Sequence, residues 1–156
     1  MNLTKDIIIQ KHIQSIGGFQ NTKIIEYSEG YSKLEFKPSK EALNLYGNLH
    51  GGVLFTLCDI AAAISCLSYD VTCVTLNSTI NYIKGSSFDN IIIESNVIHK
   101  GKTTYICNVT IKNSNDRLLT QATFTMFNTG PILQIKEFKI KALLLNRALI
   151  FSNITF

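Results

Sequence analysis

The chain has 156 residues, enough for one domain with a real core and little more. Its apolar fraction is 46%, its charged fraction is 17% and it has only two prolines, a composition that excludes disordered, collagen-like and low-complexity proteins. The formal net charge of +4 sits at one end: residues 1–129 hold 11 basic against 10 acidic side chains, and beyond them Lys136, Lys139, Lys141 and Arg147 stand against Glu137 alone. A near-neutral body without clustered Lys/Arg and aromatics argues against nucleic acid as a partner.

Taken in chain order, Leu3 to Ile16 carries Ile7, Ile8, His12, Ile13 and Ile16 at helical spacing and stops at Gly17-Gly18. Lys23 to Tyr27 and Tyr31 to Phe36 read as two strands joined by Ser28-Glu29-Gly30, a hairpin with glycine in its turn. A polar approach, Asn44 to Leu49, leads to His50-Gly51-Gly52 and then to Val53 to Leu67, a helix apolar almost all round and therefore expected to be buried. Cys73 to Ile83, Ile91 to His99, Thr103 to Lys112 and Leu118 to Phe127 are β-type runs. Hairpin spacing makes the last three an antiparallel meander. Gly130-Pro131 is expected to break the final strand. The order predicts an α+β fold in which one antiparallel sheet wraps a long central helix.

Residues 1–19 lack the continuous apolar stretch of a secretory signal, and no run reaches 18 apolar residues, so no spanning helix is expected. Cys58, Cys66, Cys73 and Cys107 form no CxxC pair and lie in apolar runs. Buried free thiols in a cytoplasmic protein are the expectation, with no metal site.

The chemistry concentrates at Asn44-x-x-Gly47-x-x-His50-Gly51-Gly52, with Asp59 following. Glycines at a helix mouth admit close approach to the backbone. The first helical N–H groups are unpaired donors with a partial positive charge behind them, a suitable place for a carbonyl oxygen that gains negative charge. A carboxylate on an otherwise apolar helix needs donors, solvent or a chemical role. Capping another loop and acting on a substrate both satisfy that need for Asp59.

The run NLYGNLHGGVLFTLCDIAAAIS resembles the signature of hotdog-fold acyl-CoA thioesterases of the PaaI-like (phenylacetyl-CoA thioesterase-like) family, and TLNSTINYIKGS and VIHKGKTTYICNVTI are similar to that family's next two strands. The resemblance spans about residues 10–129, so the hotdog domain is expected over 1–129 and residues 130–156 form an extension that the family pattern does not cover. It implies hydrolysis of an acyl- or aryl-CoA, with coenzyme A as part of the substrate and no separate cofactor. It further implies that the Gly51 N–H and the Asn44 amide hold the thioester carbonyl. Asp59 is then general base or nucleophile, and it comes from the facing subunit, so that the site exists only in a homodimer, itself able to pair into a dimer of dimers.

A Ser/Thr on the strand after the helix positions water in some members. Thr75 matches that place, with Asn77 and Ser78 as alternatives. His50 belongs to the signature, and a structural role through a hydrogen bond to backbone is preferred for it over a catalytic one. Gly52, Lys84, Gly85, Lys100, Gly101 and Lys102 match positions that meet coenzyme A. The acyl pocket is expected near Leu54, Phe55, Cys58 and Tyr82. Two other classes compete: an acyl-CoA-binding regulator with the same fold and no catalysis, which has no use for Asp59, and a hotdog dehydratase, which needs a second acid that this helix lacks. The extension contains a basic apolar stretch, Glu137 to Phe151, for which packing on the dimer, disorder and membrane-surface binding are all open.

Overall fold

A computed structural model of the chain describes residues 21–132 together with Ile9, Ile13 and Phe19. Of the expected first helix, Ile9 and Ile13 are helical and buried in the core, and its other residues lie outside the described set, as does the basic stretch at residues 137–151. Six strands are described: β1 (Thr22–Ser28), β2 (Tyr31–Phe36), β3 (Val71–Tyr82), β4 (Ile91–Lys100), β5 (Thr104–Asn113) and β6 (Leu118–Pro131). Between β2 and β3 runs one long helix, α1 (Gly51–Leu67), preceded by a 3-10 turn at Lys40–Ala42. The strands form one antiparallel sheet in the order β1-β2-β4-β5-β6-β3.

The sheet wraps α1, which packs against every strand. Leu57, Ile60 and Ile64 on the helix meet Leu34, Ile91, Ile93, Ile111 and Phe124 on the sheet, all essentially without solvent contact. Burying one such side chain is worth about 1.5–3 kcal/mol, which outweighs the weak helix propensity of the two glycines at the helix start. The small face of the helix is tied down by satisfied polar groups: Ser32 Oγ donates to the Ala61 carbonyl (2.8 Å), and Ser65 Oγ meets Ser95 Oγ (2.9 Å). Cys58, Cys66 and Cys107 are buried free thiols and Cys73 is half-buried.

Two departures from the sequence reading matter for the site. First, β6 does not break at Gly130-Pro131 but continues through both, pairing Thr72 with Gly130 and Val71 with Pro131. Gly130 takes φ 120° beside a register shift, and Pro131 is the last strand residue, where a missing N–H costs the ladder little. Ile132 then turns into the core, its N–H donating to the Asp70 carbonyl at 3.0 Å. Second, β3 carries a bulge at Leu76, because Thr75 pairs with Met126 while Asn77 pairs with Thr125. β3 is also an edge: among the described residues its outer side meets no strand, and Val74 and Leu76 stand 52% and 57% exposed along it.

Candidate active site

The polar approach folds into a tight turn that orients Asn44. Its Oδ1 accepts the N–H groups of Tyr46 (2.9 Å) and Asn48 (3.2 Å), and its backbone N–H donates to the Asn48 carbonyl at 2.7 Å. Gly47 closes the turn at φ 75°, where a side chain would be strained. With the oxygen consumed, the Asn44 amide NH2 is left without a partner among the described residues. The loop after β3 is laced to this turn: the Leu49 N–H donates to the Ser86 carbonyl (2.7 Å), and a Cβ on Gly85 would come 2.7 Å from Asn48 Oδ1.

The start of α1 sorts its own free donors. His50 is the N-cap, and its carbonyl accepts from Val53 (2.9 Å) and Leu54 (3.2 Å). Its ring Nδ1 accepts from the Gly52 N–H at 3.1 Å, so a neutral His50 carries its proton on Nε2. The Gly51 N–H is the one that remains unpaired among the described residues of this first turn. The Gly52 N–H is thus spent on the cap, which leaves the rest of its backbone for the expected approach of coenzyme A. Asn44, Asn48, Leu49, Gly51, Leu54, Tyr82, Ile83, Lys84 and Gly85 line one cleft of about 360 Å³.

Two turns further along α1, Asp59 is half-buried and faces β3. Thr75 Oγ1 donates to Asp59 Oδ1 at 2.5 Å, a short charge-assisted hydrogen bond, and also contacts Met126 Sδ at 3.5 Å. The bulge turns one alternative, Asn77, away from the carboxylate. Residues opposite one another share a face. Thr75 lies opposite buried Met126 and so faces the helix, whereas Asn77 lies opposite Thr125 on the other face. Ser78, opposite buried Phe124, returns to the helix side but one pleat nearer the cleft. Cys58, beside Asp59, has its thiol pushed up to about 12, by burial first and by the Asp59 charge second, so it stays a neutral thiol near pH 7.

Other expected residues are distributed differently. Lys84 and Gly85 stand at the cleft. Lys100, Gly101 and Lys102 lie at the opposite end of the sheet: Ile91 and Asn113 pair at the cleft end, Lys100 and Tyr105 at the far end, roughly 30 Å away at strand rise. There Lys100 Nζ sits 3.9 Å from the centre of the Tyr69 ring, a cation–π contact, and the Gly101 N–H donates to the Thr104 carbonyl at 2.9 Å. Of the residues expected near the acyl group, two stand at the cleft and two do not. Leu54 and Tyr82 line the cleft, but the Phe55 ring packs on Phe124 (centroids 5.5 Å apart) and Cys58 is fully buried. Tyr82 does more than line a wall, since its hydroxyl donates to the Gly51 carbonyl at 3.0 Å. Asn48 is a cleft residue that the sequence reading passed over; its place in the same turn as Asn44 was the available signal.

The sequence profile of the thioesterase superfamily matches residues 46–120, the span from the turn through α1 to the start of β6. The acyl-coenzyme A thioesterase PaaI of Escherichia coli K12 is 30% identical over 95 residues, which cover 60% of this chain and 68% of that protein. The chain belongs to the PaaI-like hotdog thioesterases. Solved structures with coenzyme A or acetyl CoA bound share the fold. A thioesterase protein of Streptococcus pneumoniae TIGR4, crystallised with coenzyme A, superposes with a TM-score of 0.75 at 37% identity, covering 80% of this chain and 97% of that one. The protein smu.793 of Streptococcus mutans UA159, bound to acetyl CoA, gives a TM-score of 0.72 at 36% identity over 77% of this chain and 98% of that one. Further structures of the pneumococcal protein carry an aspartate-to-alanine and a threonine-to-alanine substitution. As a PaaI-like thioesterase, the chain is a thioester hydrolase. No helix among the described residues is long and apolar enough to cross a membrane.

Proposed function

We propose that this PaaI-like thioesterase hydrolyses an acyl- or aryl-CoA to the free acid and coenzyme A, as a homodimer whose every site is built from two subunits. The observation that carries this reading is the Thr75–Asp59 hydrogen bond at 2.5 Å, set apart from the unpaired Gly51 N–H. Along the helix Gly51 and Asp59 are about 12 Å apart at 1.5 Å per residue. The reacting atoms of one thioester span a few ångströms, so the carbonyl donor and the carboxylate of one chain serve different sites. The exposed edge of β3 supports pairing with a second copy. Antiparallel pairing of two β3 strands sets the Tyr82 end of one beside the Val71 end of the other. It also carries the partner subunit's Lys100 and the partner subunit's Lys102 towards the cleft that holds Lys84, where coenzyme A phosphates need cations.

In this reading the Gly51 N–H and the Asn44 amide hold the carbonyl oxygen and stabilise its developing charge. The partner subunit's Asp59, oriented by the partner subunit's Thr75, takes a proton from water. The water oxygen bonds to the carbonyl carbon, the C–S bond breaks, and coenzyme A leaves as a thiolate. A thiol of pKa about 8.5 is a good leaving group, so no histidine–serine pair is needed. The pneumococcal relative supports the assignment: its crystallised aspartate and threonine variants lie 16 positions apart, the separation of Asp59 and Thr75.

The test is thiol release from a panel of acyl-CoAs. Asp59→Asn is expected to lose on the order of 10²–10⁴ in rate. Unchanged turnover in that variant overturns the mechanism, and binding without turnover by the wild type assigns the protein to the non-catalytic binders.

A further inference from the structure

Tyr82 stands in the cleft beside the Gly51 N–H. It is the last residue of β3, opposite buried Thr120, so its side chain points to the helix side of the sheet. Its ring packs on Gly51 so closely that a Cβ there would lie 3.3 Å from Tyr82 Cζ and 3.5 Å from the hydroxyl. The hydroxyl is tethered to the Gly51 carbonyl at 3.0 Å. The residue nonetheless remains 52% exposed, on the wall of the cleft shared with Asn44, Leu54 and Lys84. It is thus an aromatic plate held against Gly51, whose N–H is the unpaired one of the helix's first turn among the described residues, and it stays open to the cleft.

We propose that Tyr82 is the specificity-determining residue of the site, limiting bulk at the carbon next to the thioester carbonyl. The inference rests on the reading of Gly51 as the carbonyl donor. A carbonyl oxygen at hydrogen-bonding distance from the Gly51 N–H places its carbonyl carbon within about 4 Å of that nitrogen. The Tyr82 ring, packed on Gly51, is then within reach of the substituents on the neighbouring carbon. Straight-chain and flat aryl acyl groups lie along the plate, whereas a branch at that carbon collides with it. The hydroxyl tether turns a mobile tyrosine into a fixed wall, because the ring cannot swing towards solvent without giving up its hydrogen bond. Burial, followed by the neighbouring Cys58, raises the Tyr82 phenol above its ordinary range, so the tether keeps its proton across the physiological range.

The experiment measures kcat/KM of the full-length homo-oligomer for straight-chain acyl-CoAs, a flat aryl-CoA and acyl-CoAs branched beside the carbonyl. Wild type, Tyr82→Ala and Tyr82→Phe are compared. Tyr82→Ala is expected to raise the branched-to-straight ratio at least about tenfold, the order that one methyl group commands in a shaped pocket. Tyr82→Phe keeps the plate and loses the tether, and should move the ratio in the same direction by less. Because the side chain is half exposed, both variants should fold, which thermal melting checks. Ratios within twofold of wild type in both variants, with all substrates slowed in parallel, overturn the proposal and make Tyr82 a support of the helix start only. Turnover of none of the series by wild type overturns the thioesterase reading and this one together, whereas an unchanged ratio with active wild type overturns this one alone.

Discussion

Thr75 offers the sharpest test of the proposed catalytic role of the Asp59 carboxylate. Replacing it with alanine removes one O–H donor from Asp59 and touches little else, because Thr75 is exposed on an edge strand and its other contact is a weak one to Met126 Sδ at 3.5 Å. A hydrogen bond to a charged group is worth about 1.5–3 kcal/mol. With 1.36 kcal/mol per tenfold in rate, the loss in kcat lies between about 10-fold and 150-fold if the bond is needed in the transition state. Folding stability should fall by no more than about the same 1.5–3 kcal/mol, because water can replace the lost donor at this exposed position. The assay is steady-state release of coenzyme A with a thiol reagent, run on Thr75→Ala, Thr75→Ser, Asp59→Asn and the double variant. Serine keeps the hydroxyl and should recover most of the rate. In the Asp59→Asn background the loss of Thr75 should cost less than about threefold, since residues that act as a unit are non-additive. A Thr75→Ala rate within twofold of wild type would refute the reasoning. So would losses for Thr75 and Asp59 that simply multiply, because the hydroxyl would then act independently of the carboxylate.

The proposed two-subunit site predicts complementation. Mixing Asp59→Asn with Asn44→Ala subunits and allowing exchange should restore about a quarter of wild-type activity, since half the dimers are mixed and each mixed dimer holds one intact site of two. Exchange confirmed by mass spectrometry with no recovery would show that each chain carries its own site. His50→Ala removes the ring that caps the Gly52 N–H and should cost about 0.5–2 kcal/mol in stability, read as a lower Tm. His50→Asn, which retains a capping acceptor, should recover most of that loss, and activity should follow stability across the two variants.

Much of this protein is legible locally. Helical periodicity from Val53 to Leu67 and β-type runs bounded by Gly, Ser and Asn identify every described strand and the buried helix, because burial of an apolar face is a short-range pattern. The glycines after His50 mark a helix mouth for the same reason. A proline in the last strand misled: Gly130-Pro131 reads as a stop, yet β3 accepts both as partners at the strand's end, where no further ladder bond is required of the proline.

The sequence by itself therefore determined the fold class, the helix with its one carboxylate, and the turn that presents Asn44 and Gly51. Tertiary structure alone decided which of these groups meet. The bulge at Leu76 arises from pairing between β3 and β6, about 50 residues apart in the chain. It turns Asn77 away from Asp59, and Ser78, though on the helix side, lies beyond the carboxylate that Thr75 meets. The capping geometry of His50 leaves the Gly51 N–H free and spends that of Gly52. The antiparallel order of the sheet sends Lys84 and Lys100 to opposite ends of one chain. Composition and spacing carry no record of register, since register is set by partners distant in sequence.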